Sequence, residues 1–136
     1  MPIVGFGFDK ISIEKKEYAK QVKIQNNINV VSLEESKLVI GKEQKPSIKA
    51  NFDYSVDYER TGNLQMLGHV VYFDTEEKIK EILEKWKKEQ KMQGDFGTLI
   101  YNFIIVKSSI KALQLEEDLG LPLHVSMPKI VQKKKQ

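Results

Sequence analysis

Between Ile48 and Tyr58 apolar and polar residues alternate without a break: Ile48, Ala50, Phe52, Tyr54, Val56 and Tyr58 interleave with Lys49, Asn51, Asp53, Ser55 and Asp57. A period of two sustained this long predicts a strand with one buried and one wet face. After the turn-rich ERTGN, the run LQMLGHVVYF places Leu64, Met66, Val70 and Tyr72 on one parity with Gly68 between them. Leu67, Val71 and Phe73 occupy the other parity, so this second strand is expected to be covered on both sides at its far end and to pair with the first as a hairpin.

Two earlier stretches carry weaker strand signals. QVKIQNNINVVSL alternates through Val22, Ile24, Asn26, Ile28 and Val30. IVGFGFDKISI has Phe6 and Phe8 on one parity but Ile11 and Ile13 on the other, so its period slips near Asp9 and Lys10. A β-bulge explains such a slip, because one extra residue re-aims every side chain after it. The triplet Leu38 to Ile40 either extends the second strand or begins a loop.

The period then lengthens. DTEEKIKEILEKWKKEQKMQG offers Asp74 or Thr75 as a cap, Glu76 and Glu77 in the first turn, and Ile79, Ile82, Leu83 and Trp86 at helical spacing, with a stop near Gly94. Glu81 with Lys85 and Glu84 with Lys88 read as pairs one turn apart that solvate its surface. In FGTLIYNFIIVKSSIKALQLEEDLG, Phe96, Leu99, Ile100, Phe103, Ile104, Ile110 and Leu113 fit one helical face with Lys107, Ser108 and Lys111 opposite, and Gly120 reads as the stop. Strands first and helices after predict an α+β fold, a four-stranded antiparallel sheet followed by two helices packed on one face. Residues 1–128 are read as a single α+β domain and 129–136 as a flexible lysine-rich tail.

Composition narrows the chemistry. There is no cysteine among the 136 residues, which removes disulfides, thiol nucleophiles and thiolate zinc sites, and the two histidines, His69 and His124, are not at metal-ligand spacing. The net charge of +3 belongs to the end of the chain: Lys129, Lys133, Lys134 and Lys135 are four of the 22 basic groups, and without them the 19 acidic groups leave the body near −1. No apolar run approaches a membrane span and no signal peptide is recognisable, so a cytoplasmic protein without membrane insertion is expected. The GFGF stretch lacks a third glycine and a following helix, and reads as strand glycines admitting a close backbone, not a phosphate loop. His69 and His124 read as structural or surface residues, and Asp53, Asp57 and Glu59 as the wet face of a strand. No catalytic, cofactor or metal residue is assigned, and the chain is read as a non-enzyme needing no cofactor.

The last stretch, DLGLPLHVSMPKIVQKKKQ, has a distinct pattern. Gly120 suits a left-handed helix cap with Leu121 folding back on the helix. Leu121, Leu123, Val125 and Met127 then share one parity, with Pro122, His124, Ser126 and Pro128 on the other. Two prolines cannot donate to a ladder, so an edge or covering strap is expected. A sheet apolar on both faces also has more to bury than two helices can cover, which points to oligomerisation or a binding groove.

Through FGFDKISIE, IKANFDYSVDY, MLGHVVYF and above all GLPLHVSMPKI, with Gly120, Pro122, Leu123 and Pro128 at corresponding places, the chain resembles the SecB family of export chaperones and its SecB-like relatives. The resemblance implies helices on one face of a four-stranded antiparallel sheet, assembly as a dimer of dimers, and ATP-independent holding of non-native polypeptides in apolar grooves. The basic tail departs from the acidic end of that family, and coupling to the bacterial export motor is not expected. The residues expected to contact polypeptide or a second subunit are Phe6, Phe8, Ile11, Ile13, Leu121, Leu123, Val125 and Met127. Met66, Met92 and Met127 are adaptable side chains suited to varied clients. The partners expected are unfolded or partly folded polypeptides and further copies of this chain, as a dimer or tetramer. Nucleic acid is not an expected partner on this reading. The alternative is a small module that binds nucleic acid or an anionic surface through its basic tail.

Overall fold

The computed structural model describes residues 3–19, 21–92, 94–126, 128 and 130, with the side chains of Leu38 and Ile40 left out. Four strands, β1 (Ile3–Lys15), β2 (Gln25–Ile40), β3 (Glu43–Asp57) and β4 (Gly62–Phe73), precede two helices, α1 (Glu76–Glu89) and α2 (Gly94–Leu119). The sheet is antiparallel throughout in the order β1-β4-β3-β2. β2, β3 and β4 run as a meander, and β1 lies beside β4 at the opposite edge, a Greek-key arrangement.

Strict alternation in β3 has the expected result. Ile48, Ala50, Phe52, Tyr54 and Val56 are buried, while Lys49, Asn51, Asp53 and Ser55 line the other face. β4 matches it with Leu64, Met66, Val70 and Tyr72. Gly68 is the gap in that series for a steric reason: a Cβ there would lie 2.5 Å from the Gly7 carbonyl oxygen and 2.6 Å from the Phe52 ring. Full burial of a side chain as large as Phe52 contributes about 1.5–3 kcal/mol, so the space left by Gly68 is used for packing.

The parity slip in β1 is resolved by a bulge between Phe8 and Lys10. Phe6 and Phe8 pair with Val70 and Gly68, and Ile11 and Ile13 pair with Met66 and Leu64, so all four lie on the helix side of the sheet. β2 has a similar irregularity between Val30 and Ser32 that the sequence pattern did not disclose. It turns Val31 outward and lets both Val30 and Leu33 enter the core. The strand begins at Gln25, leaving Val22 and Ile24 in the crossing segment, and Leu38 to Ile40 extend it to the Gly41-Lys42 turn.

α1 lies against β2 and β3, and α2 against β4. Thr75 caps α1 by accepting from the Lys78 amide, and Ile79 is the deepest residue of its apolar stripe. The expected stop at Gly94 is corrected. Gln90 adopts the left-handed conformation (φ 54) and its amide closes on the Trp86 carbonyl at 2.8 Å, so α1 ends earlier and Gly94 (φ 71) begins α2.

The buried lane of α2 also differs from expectation: it is Gly97, Ile100, Ile104, Ser108, Ala112 and Glu116. Ser108 faces the core instead of solvent, and Ile110 is exposed. Apolar residues surround this helix, so periodicity did not define one face; the small side chains of Gly97, Ser108 and Ala112 are the ones set against the sheet. By length and composition α2 is also long enough to cross a membrane, contrary to the reading of apolar runs, a property that core helices share. It ends as expected. Gly120 (φ 71) follows Leu119, with the Leu121 amide on the Glu116 carbonyl at 2.8 Å and the Gly120 amide on the Glu117 carbonyl at 3.4 Å, the paired bonds of a Schellman motif.

Candidate binding surface and the buried strap anchor

The eight residues expected to make contacts do not form one exposed patch. Phe6 and Phe8 join Phe52 and Phe103 in an aromatic cluster: Phe6 stacks on Phe52 at 5.6 Å, meets Phe103 at 5.6 Å and Phe8 edge-on at 5.1 Å. They and Ile13 are half-buried against this chain's own core, and of the four expected in β1 Ile11, at 37% exposure, is the open one. Leu121 is buried at 5%. It is therefore a core residue of its own chain. Leu123 (42%) and Val125 (38%) are exposed, and Met127 lies outside the described residues, as do Lys129 and residues 131–136. Met66 is buried in the core, so it is not available to a client, whereas Met92 lines a cavity of about 190 Å³ with Leu33, Tyr72, Ile82 and Phe96.

The expected alternation of the last segment breaks after Leu121, which is buried while Leu123 and Val125 of the same parity are exposed. His124 points into the body and thereby turns Leu123 and Val125 outward. Its Nδ1 lies 2.8 Å from Glu116 Oε1 and 3.0 Å from Oε2, and its backbone amide donates to Oε1 at 3.3 Å. The Tyr58 hydroxyl donates to the other side of the same carboxylate. The side chains of Glu116 and His124 are both fully enclosed. Tyr54 stands edge-on to the imidazole at 6.5 Å. Burial first, and the adjoining carboxylate second, push the Tyr58 hydroxyl far above its ordinary range; burial also raises Tyr54, against a bond to Ser109.

Sequence reasoning missed Glu116, because LEEDLG at a helix end reads as solvated. The available signal was its place four residues after Ala112 in the lane from Ile104 through Ser108, legible only once that lane is known.

α2 carries a second apolar stripe. Val106 (57%) and Ile110 (52%) are turned away from the sheet with Ile105 beside them, and the half-buried Leu99 and Leu113 lie seven residues before and after Val106. Leu123 and Val125, in the segment after α2, are exposed as well.

The outer face of the sheet is mixed: Leu67, Val71 and Phe73 lie half-buried on it and Val31 is exposed, among polar side chains that pair with one another. His69 Nδ1 lies 3.0 Å from both oxygens of Asp9, the extra residue of the β1 bulge, so the bulge aims a carboxylate at the imidazole. Asn51 donates to Ser32 at 2.9 Å and Gln65 to Asp53 at 3.2 Å. Asp57 accepts from the Glu59 amide and Glu59 from the Lys23 amide, so these carboxylates bind backbone. Among the described residues no group of three or more His, Cys, Asp or Glu is placed to hold a metal ion.

No protein-family model and no curated protein matches this sequence. Among solved structures the chain is similar to the Mycobacterium tuberculosis Rv1957 SecB-like chaperone in complex with a ChAD peptide from the Rv1956 HigA1 antitoxin, at 7% identity and a TM-score of 0.48, over 97% of this chain and 91% of that one.

Proposed function

We propose that this chain is an ATP-independent holdase that binds non-native polypeptides and works as a homo-oligomer of two or four copies. The observation that carries the reading is the apolar surface left over after the core is complete: Val106, Ile110 and Ile105 on α2, with Leu123 and Val125 also exposed. An unfolded chain exposes aliphatic and aromatic side chains, and a contiguous apolar face on a rigid helix accepts them without chemistry. The same surface serves subunit contact and client contact, since both are driven by removing apolar area from water. The residue-level resemblance in GLPLHVSMPKI supports the same assignment.

The test is light scattering by a thermally unfolded model enzyme with and without this protein, in the absence of nucleotide, alongside sedimentation of the protein itself. Suppressed aggregation by a stable oligomer is expected, with V106D/I110D losing the suppression while keeping its circular dichroism. A monomer without effect on aggregation overturns the reading.

A further inference from the structure

The surface just described does not use the buried polar group around Glu116. A carboxylate enclosed at the helix end is a costly feature unless its oxygens are answered. Here the donors are the Tyr58 hydroxyl and two groups of His124, its ring and its backbone amide. Tyr54, Tyr58 and Glu116 thus form a socket, and His124 fills it.

Several observations describe the filler as a plug more than a welded part. Residues 121–126 lie outside every strand and helix. Among the described residues, each hydrogen bond of residues 122–126 ends on the Glu116 carboxylate. The side chains flanking the plug, Leu123 and Val125, face solvent and grip little. The plug is also imperfect: His124 Nε2 is enclosed without a hydrogen-bond partner among the described residues. An unanswered buried nitrogen costs stability, so the attachment is weaker than the enclosure alone suggests.

We propose that the Tyr54-Tyr58-Glu116 socket is a peptide-binding site for an extended segment carrying a histidine between aliphatic residues, and that the chain's own Leu123-His124-Val125 occupies it as a displaceable intramolecular ligand. Glu116 accepts from the imidazole and from the backbone amide of the same residue, which selects an extended peptide over a free side chain. Tyr58 holds the carboxylate in place and Tyr54 walls the ring. Displacement of the plug frees the strap bearing Leu123 and Val125. That the natural ligand is a client segment rests on the holdase reading; the socket itself does not.

The test uses the full chain with H124A and a synthetic peptide of residues 120–126 labelled for fluorescence anisotropy. The peptide is expected to bind H124A at least tenfold more tightly than the wild-type chain, to weaken at least tenfold when alanine replaces its histidine, and to lose binding to E116Q/H124A. Imidazole at millimolar concentration is expected to raise the melting temperature of H124A and leave the wild type unmoved. If H124A does not fold, H124S, whose hydroxyl is too short to fill the socket, takes its place. Equal binding to wild type and H124A, or binding indifferent to Glu116, overturns the socket. Aggregation suppression is scored separately: socket binding without suppression sustains the socket and overturns the holdase, and suppression without socket binding does the reverse.

Discussion

Glu116 and His124 are eight residues apart in the chain and 2.8 Å apart in space, Oε1 to Nδ1, with both side chains enclosed. The Schellman turn at Gly120 makes this approach geometrically possible, because it reverses the chain within two residues of the helix end. The pair fastens the segment around His124 to the body.

Removing one member leaves the other buried and short of partners. H124A is therefore expected to lower the unfolding free energy by on the order of 3 kcal/mol. Y58F, which removes a single donor from the same carboxylate, is expected to cost about 1–2 kcal/mol. Urea unfolding followed by circular dichroism measures both, and a loss below about 0.5 kcal/mol for H124A contradicts the account of a buried anchor.

The aromatic cluster predicts a different kind of failure at Gly68. A methyl group there meets the Gly7 carbonyl and the Phe52 ring at distances no real contact shows. G68A is expected to destabilise by about 1–3 kcal/mol through forced displacement of the ring and the β1 strand. At Gly41 a Cβ meets nothing within 4 Å and only its positive φ is strained, so G41A should cost about 1 kcal/mol. Equal costs at the two sites would refute the packing argument.

The β1 bulge allows a deletion to be tolerated. Without Asp9, Phe8 and Lys10 become neighbours opposite Gly68 and Leu67, and the register runs on unbroken from Gly5 to Lys15 with Ile11 and Ile13 still on the helix side. Only the partly exposed Asp9–His69 contact is lost, worth up to about 1 kcal/mol. Deleting Ser12 instead leaves Ile13 on the wrong face. Chemical denaturation of the two deletion variants should find the first folded and the second severely weakened.

Asp74 links the fold to pH. The Tyr72 hydroxyl, then the Thr75 amide, hold its carboxyl below the ordinary range, while burial and this same bond raise Tyr72. A depressed carboxyl contributes stability that is whole above the ordinary value near 3.9 and is lost as pH falls through the lower folded value. A raised phenol contributes stability that is whole below about 10 and is lost as pH climbs beyond it. Melting temperature against pH is expected to fall at both extremes, with D74N flattening the acid limb and Y72F softening both. An acid limb unchanged in D74N contradicts this assignment.

The sequence by itself determined what depends on neighbours along the chain. Alternation in β3 and β4 fixed which residues are buried, because side chains two apart in a strand must share a face. The slip between Phe8 and Ile11 announced the bulge. Asp74 or Thr75 marked one start and Gly120 one stop, because capping needs a side-chain oxygen at the first and a left-handed residue at the second. Only the tertiary structure decided what depends on partners brought from elsewhere. The bulge at Val31 had no sequence mark, since Val30, Val31 and Leu33 are all apolar and the choice among them is made by β3. The buried lane of α2 was settled by close packing against the sheet, which selected Gly97, Ser108 and Ala112 over larger apolar residues. The inward turn of His124 needed Tyr58, Glu116 and Gly120 in one place, a convergence no periodicity encodes.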